Sequence, residues 1–164
     1  MNNKETTRQR IQELVEQFSH NHVLHTQSHS VYNETQLRSD FINQFFQALG
    51  WDVYNAKQVP QHLREMVQED TVEVEEGGEL FKKNPDYALR LGAARKFFVE
   101  VKRPSIPILT DKKAAFQLRR YGWNAGLAVS ALTNFDKLVI YDCRPRPQAT
   151  GYLNSTALWE GPGV

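Results

Sequence analysis

Cysteine is nearly absent from this chain: 164 residues carry one, Cys143. A lone thiol forms no internal disulfide. The fold must therefore rest on a packed core, and the composition fits a reducing compartment, expected to be the cytoplasm. Cys143 itself reads as a buried structural thiol rather than a nucleophile. Long apolar runs are missing too. None approaches the roughly 18 residues needed to span a bilayer, and the opening Met-Asn-Asn-Lys-Glu-Thr has no apolar signal region, so no membrane partner is expected. Glycine is sparse: Gly77-Gly78 and Gly161-Pro162-Gly163 make no phosphate-cradling loop, which argues against a helicase or a methylase cofactor site in this stretch. A large net charge is lacking as well. At +1 the chain as a whole does not advertise a polyanion partner.

What is present is ordinary in amount and uneven in arrangement. Hydrophobic residues at 40% and charged residues at 24% suit one soluble domain with a sizeable core. From Phe81 to Arg120 there are 11 Lys/Arg and 3 Asp/Glu, whereas from Glu65 to Glu79 there are 7 acids and no base. A basic region around an acidic pocket fits a phosphodiester substrate beside a metal site. An unevenly charged but merely solvated surface fits it as well.

Two of the three acids in the basic stretch carry the strongest local signal. Pro85-Asp86 is followed, after a short gap, by Glu100-Val101-Lys102. Asn84 to Arg90 reads as one strand, Lys96 to Lys102 as the next, and Gly92-Ala93-Ala94 as the hairpin loop between them. A loop centred on Ala93 puts Asp86 opposite Glu100, where cross-strand Cβ atoms lie roughly 4.5–5.5 Å apart. One cation can bridge both carboxylates at that spacing. Alternation points Glu100 and Lys102 to one face, and Val99 and Val101 to the other. Two carboxylates and an amine suit a hard cation such as Mg²⁺, with Mn²⁺ able to substitute, and an attacking water oriented or deprotonated by the lysine. The Val101 carbonyl can add a ligand. A plain cross-strand salt bridge accounts for the same residues.

Along the rest of the chain, Ile11, Leu14, Val15 and Phe18 mark an amphipathic helix over Thr7–Phe18. Ser19–Ser30 holds His20, His22, His25 and His29. Without regular ligand spacing these suggest a polar linker, with a zinc site the weaker reading. Asn33–Leu49 is the clearest helix, capped by Asn33 with Gln36 at the capping-box position. Leu37, Phe41, Phe45 and Leu49 form its stripe, Phe46 lies beside it, and Gly50 stops it. Glu34 sits at the first turn of that stripe, either as an acid favoured by the helix dipole or as a third acid facing the cation. Trp51–Tyr54 reads as a short strand and Thr71–Val74 as an edge strand. A helix capped by Thr110 or Asp111 runs to about Ala125, with Ala114, Ala115, Leu118 and Tyr121 inward. Leu127–Leu132 and Lys137–Tyr141 read as strands around a Thr133-Asn134 turn. Past Arg144 no periodicity is evident. The order gives an α/β or α+β domain.

Taken together, Pro85-Asp86…Glu100-Val101-Lys102 resembles the PD-(D/E)xK nuclease signature. Three further elements share the resemblance: Glu34 ahead of Leu49-Gly50-Trp51-Asp52-Val53, the Gln117…Tyr121 pair, and the string Lys96-Phe-Phe-Val-Glu-Val-Lys-Arg-Pro-Ser. The last is similar to N-terminal nuclease domains of restriction–modification proteins that fuse a nuclease to a methylase. The resemblance implies a restriction-endonuclease-like α/β core, a central mixed sheet flanked by helices, over 31–145. An N-terminal helix and linker (1–30) would precede it and an irregular tail (146–164) would follow. It implies a Mg²⁺-dependent DNA nuclease with Asp86, Glu100, Lys102, Glu34 and Gln117 catalytic, and Asp86, Glu100, Val101 and Glu34 around the metal. Arg103, Lys112, Lys113, Arg119, Arg120 and Tyr121 would contact DNA, mostly at phosphates. Methylase or specificity domains would lie C-terminal to Val164. A nuclease-like DNA-binding module that no longer cuts is the alternative, and a protein-interaction domain a third class.

Overall fold

The computed structural model describes residues 3–148 and 157–160. A six-stranded sheet runs in the order β1-β4-β5-β6-β7-β8, with β1 Met66–Gln68, β4 Tyr87–Leu91, β5 Ala94–Val101, β6 Val129–Thr133, β7 Leu138–Asp142 and β8 Ala157–Glu160. Every neighbouring pair is antiparallel except β5 and β6, so the sheet is mixed. The parallel pair is joined by the helix α5, Lys112–Asn124, as a crossover requires. A separate ribbon, β2 Val72–Glu76 with β3 Glu79–Lys83, packs beside α5.

Strand alternation sorts the core onto the two faces of the sheet. Ala88 and Phe98 meet Ala114, Ala115, Leu118 and Tyr121 of α5, together with Val72 and Val74 of the ribbon. Tyr87, Leu89, Val99 and Val101 face the other way. They pack on Leu14 and Phe18 of α1 (Asn3–His20), and on Leu37 of α3 (Glu34–Leu37) and Phe46 of α4 (Asn43–Ala48). The inward set expected for α5 is buried as read, and Asp111 caps that helix by accepting the Ala114 amide at 2.9 Å.

Asn33 closes the expected capping box: its side chain accepts the Gln36 amide, and the Gln36 side chain accepts the Asn33 amide, both at 2.9 Å. Between α3 and α4, however, Arg38–Ile42 is π-helical. The wider turn shifts the buried stripe by one residue. Ile42 and Phe46 take the core positions expected of Phe45 and Leu49, and Leu49 is left 47% exposed.

Four other expectations are corrected. Trp51–Tyr54 is a loop, because the Asp52 carboxylate accepts the Ala56 and Lys57 amides and holds the chain in turns. The segment read as a linker folds into a short helix, α2 (His22–Thr26), where His22 Nε2 lies 2.8 Å from Asp136 and His25 stacks on Tyr32. The strands β1 and β3 fall where no regular element was read. The tail contributes β8 to the sheet edge beside β7, while 149–156 and 161–164 lie outside the described residues.

Gly122 marks the tightest approach of α5 to the sheet. A Cβ there would lie 2.5 Å from Cys143 Sγ, 2.8 Å from Cys143 Cβ and 3.0 Å from Ser130 Oγ. Backbone and buried thiol cannot both yield in a close-packed interior. Gly122→Ala is therefore expected to cost about 1–3 kcal/mol, read as a lower melting temperature or urea midpoint. An unchanged midpoint would contradict this packing.

Candidate active site

The site is built by the β4–β5 hairpin. Gly92 (φ 60°) and Ala93 form a two-residue turn, shorter than the loop read from sequence. A bulge between Leu89 and Arg90 then shifts the ladder, so that Tyr87 pairs with Val99. The next position outward sets Asp86 opposite Glu100, as the sequence spacing implies. Asp86 lies just before β4, and its carboxylate reaches across the hairpin, where Oδ2 accepts the Val101 amide at 2.7 Å. Glu100 Oε1 accepts Lys102 Nζ–H at 2.9 Å. The other Asp86 oxygen, Oδ1, sits 3.4 Å from Arg38 Nη1.

Glu34 arrives from the opposite side. The α3 N-terminus brings it to a cavity of about 520 Å³ that is also lined by Lys102, Arg103, Ile106 and Asp111. Its charge is felt by both Asp86 and Lys102. Residues 34, 86, 100 and 102 thus share one neighbourhood, though nothing local in the chain connects the helix to the hairpin.

Burial dominates the electrostatics of the site. Burial pushes the Asp86 carboxyl above its ordinary range, and Glu34 adds to the push. The Val101 amide, Arg38 and Lys102 offset only part of it. Burial likewise raises Glu100, with Asp86 as the next cause, and Lys102 does not cancel the two. For Lys102 the balance is reversed. Burial disfavours the ammonium, but Glu100, Glu34 and Asp86 outweigh it and hold the pKa above that of an ordinary lysine. Lys102 thus faces three carboxylates, while Asp86 and Glu100 stay raised because burial outweighs the cations beside them.

That desolvation is the test of whether a cation fits. Two carboxylates lie at facing positions, largely buried, with Lys102 at 2.9 Å from one and Arg38 at 3.4 Å from the other. This donor set suits a hard divalent ion, which needs few protein oxygens because it retains waters. Among the described residues, no group of three or more His, Cys, Asp or Glu side chains is arranged to hold a metal. The set is therefore two carboxylates with Glu34 in electrostatic range rather than a three-acid cage.

The other expected residues divide into two groups. Gln117 and Tyr121 share a face of α5 and are hydrogen bonded, with the amide donating to the phenol oxygen. Burial and Glu100 raise the Tyr121 pKa, which locates its ring near the hairpin. At 4% exposure that ring presents little open face to a ligand. Arg103, Lys112 and Lys113 are exposed. Arg119 and Arg120 are not simply presented to solvent: Arg119 Nε donates to the Asp142 carbonyl at 3.2 Å, and Arg120 pairs with Glu76. Further back, Arg90 and Arg95 both pair with Asp70 at 2.7 Å. Folding thus spends several charges of the basic stretch on internal partners.

Sequence reading missed Arg38. It lies four residues after Glu34, a spacing that puts the two on one helical face. That relation was visible in the sequence, whereas the contact with Asp86 was not.

A central mixed sheet flanked by helices defines an α/β architecture compatible with a restriction-endonuclease-like core. The chain belongs to the family described as the type I restriction enzyme R protein N terminus, whose profile matches residues 31–149. It is also 46% identical over 119 residues to the Type II restriction enzyme and methyltransferase RM.Eco57I of Escherichia coli. That alignment covers 73% of this chain and 12% of the relative's length. The relative's two-part name agrees with the resemblance read at Lys96–Ser105. No solved structure matches the chain. No helix among the described residues is long and apolar enough to cross a membrane.

Burial of the two carboxyls has a consequence for stability. Folding raises the pKa of Asp86 and Glu100 above the ordinary 3.8 and 4.5. A carboxyl so raised adds stability below its unfolded pKa and loses that contribution as pH rises through the folded pKa. At pH 7 both ionised groups therefore oppose folding. Asp86→Asn and Glu100→Gln are each expected to raise the melting temperature by a few degrees at pH 7, with the gain shrinking toward pH 4. A clear loss of stability at pH 7 in both variants would mean that Arg38 and Lys102 already balance the carboxylates.

Proposed function

We propose that this chain is the DNA-cleaving module of a restriction system, hydrolysing phosphodiester bonds with the help of a divalent cation. The observation that carries this reading is the pair Asp86 and Glu100, set opposite each other across the hairpin and largely desolvated beside Lys102. Burial is the largest cause of the upward shift of both carboxyls, whereas the carboxylates of a surface salt bridge stay hydrated. Family membership and the printed name of the relative support restriction as the setting.

In this reading Asp86 and Glu100, with the Val101 carbonyl, hold Mg²⁺ or Mn²⁺, and Glu34 adds negative charge that favours a divalent ion. When bound, such an ion supplies charge stabilisation for the phosphate and acidifies the attacking water. Lys102 keeps its proton at neutral pH, because three carboxylates raise its pKa. It therefore acts as a hydrogen-bond donor that orients the water and neutralises charge growing on the phosphate, rather than as the base. The Val101 amide fixes one Asp86 oxygen and so sets where the other points. Gln117, held by Tyr121, faces the same neighbourhood and can support the water or a phosphate oxygen. Arg103, Lys112 and Lys113 draw in the DNA backbone, a role that needs only charge and reach. The recognition sequence would be read by parts of the whole protein outside this chain.

Asp86→Ala, Glu100→Ala and Lys102→Ala are each expected to cut divalent-dependent DNA cleavage by roughly a hundredfold or more. The assay runs at high enzyme concentration, with circular dichroism confirming the fold. Cleavage retained in all three variants would overturn the assignment. Salt-sensitive DNA binding with no cleavage by the wild type would instead support a non-cutting DNA-binding module.

A further inference from the structure

Arg38 is the one charged side chain in contact with Asp86 for which the proposed chemistry has no use. Its setting is specific. It opens the π-helical turn, its side chain is 18% exposed, and its guanidinium lies 5.9 Å from the centre of the Tyr87 ring. The Tyr87 hydroxyl donates to Asn43 Oδ1 at 2.8 Å in the buried core. The aromatic surface under the guanidinium is thereby held in place and guides Arg38 toward Asp86. The guanidinium meets Oδ1, while Oδ2 is taken by the Val101 amide. Oδ1 is thus the Asp86 oxygen left for a cation.

We propose that Arg38 is a positioning residue that competes with a divalent ion for Asp86 Oδ1. The inference rests on the reading of Asp86 and Glu100 as a cation site. Three properties of the contact support it. A guanidinium keeps its charge at any working pH, so the competition cannot be relieved by deprotonation. The separation of 3.4 Å is long for a charge-assisted hydrogen bond, so the pair is loosely held and open to displacement. The rest of the site remains negative: Glu34, Asp86 and Glu100 face Lys102 and Arg38, which leaves a surplus carboxylate to attract the incoming ion. Arg38 thus serves two ends. It keeps Asp86 oriented and partly neutralised when no ion is bound, and it sets a threshold concentration for loading.

The experiment compares wild type, Arg38→Gln and Arg38→Lys by isothermal titration with Mn²⁺ in the absence of DNA, with thermal melts run alongside. Removing the positive charge is expected to tighten Mn²⁺ binding roughly tenfold or more in Arg38→Gln, as loss of a unit charge a few ångströms from a divalent ion implies even at water-like screening. Arg38→Lys keeps the charge and should stay near wild-type affinity. Without metal, Arg38→Gln should melt below wild type, and saturating Mn²⁺ should close that gap. If Arg38→Gln binds Mn²⁺ as wild type does or more weakly, while Asp86→Asn abolishes binding, the competition is refuted and the cation site stands. If wild type binds no Mn²⁺, or Asp86→Asn leaves binding intact, the cation site fails and the inference fails with it.

Discussion

Asp86 faces Glu100 only because β4 and β5 keep their register past a bulge. The two-residue turn at Gly92-Ala93 alone would offset the strands by one, and a one-residue slip sends every side chain to the opposite face. The extra residue, Lys96 on β5 opposite the Leu89/Arg90 step, takes up the offset before the ladder reaches the site. Everything else depends on that alignment. The Val101 amide can meet Asp86, Lys102 can meet Glu100, and the two valines between the charged residues stay in the core beneath α1 and α4.

The alignment carries an electrostatic cost that the fold does not fully offset. Two carboxylates are brought together and partly removed from water, and a third stands nearby on α3. Arg38 and Lys102 compensate in part, and the carboxyls remain harder to ionise than in solution. A protein under selection for stability alone would gain by neutralising them. Residual strain of this kind is a feature of functional sites. Here it gives the site an affinity for positive charge before any ligand arrives.

The parts of this arrangement that could be read in advance are those governed by local rules. Period-two alternation and a loop centred on Ala93 set Asp86 against Glu100, although the structure reaches that pairing by a shorter turn and a bulge that the spacing did not reveal. Asn33 with Gln36, and Asp111 ahead of Ala114-Ala115, fixed two helix starts through short hydrogen bonds that need no tertiary partner. Parts decided by distant contacts could not be read. The π-helical turn at Arg38–Ile42 changes which phenylalanine is buried, and nothing in the spacing of Phe41, Phe45 and Phe46 announces it. Trp51–Tyr54 has the composition of a strand, but the Asp52 side chain captures two amides ahead of it and makes a loop. His22 and His25 of the segment read as a linker are placed by Asp136 and Tyr32, more than a hundred residues and seven residues away respectively, and both pack on Phe18. The basic stretch looked like one surface. Glu76 and Asp70 withdraw Arg120, Arg90 and Arg95 from it, leaving Arg103, Lys112 and Lys113 as the exposed charges near the cavity.

The central claim, that the paired carboxylates form a divalent-cation site, can be tested by diffraction without reference to catalysis. Crystals of the wild-type chain soaked in Mn²⁺ should show an anomalous peak between the Asp86 and Glu100 carboxylates. The Mn–O distances should be near those of an oxygen-ligated divalent ion, about 2.1–2.2 Å, and Arg38 should be displaced from Oδ1. Ordered carboxylates with no peak between them at saturating Mn²⁺, and Arg38 still on Asp86, would contradict the account.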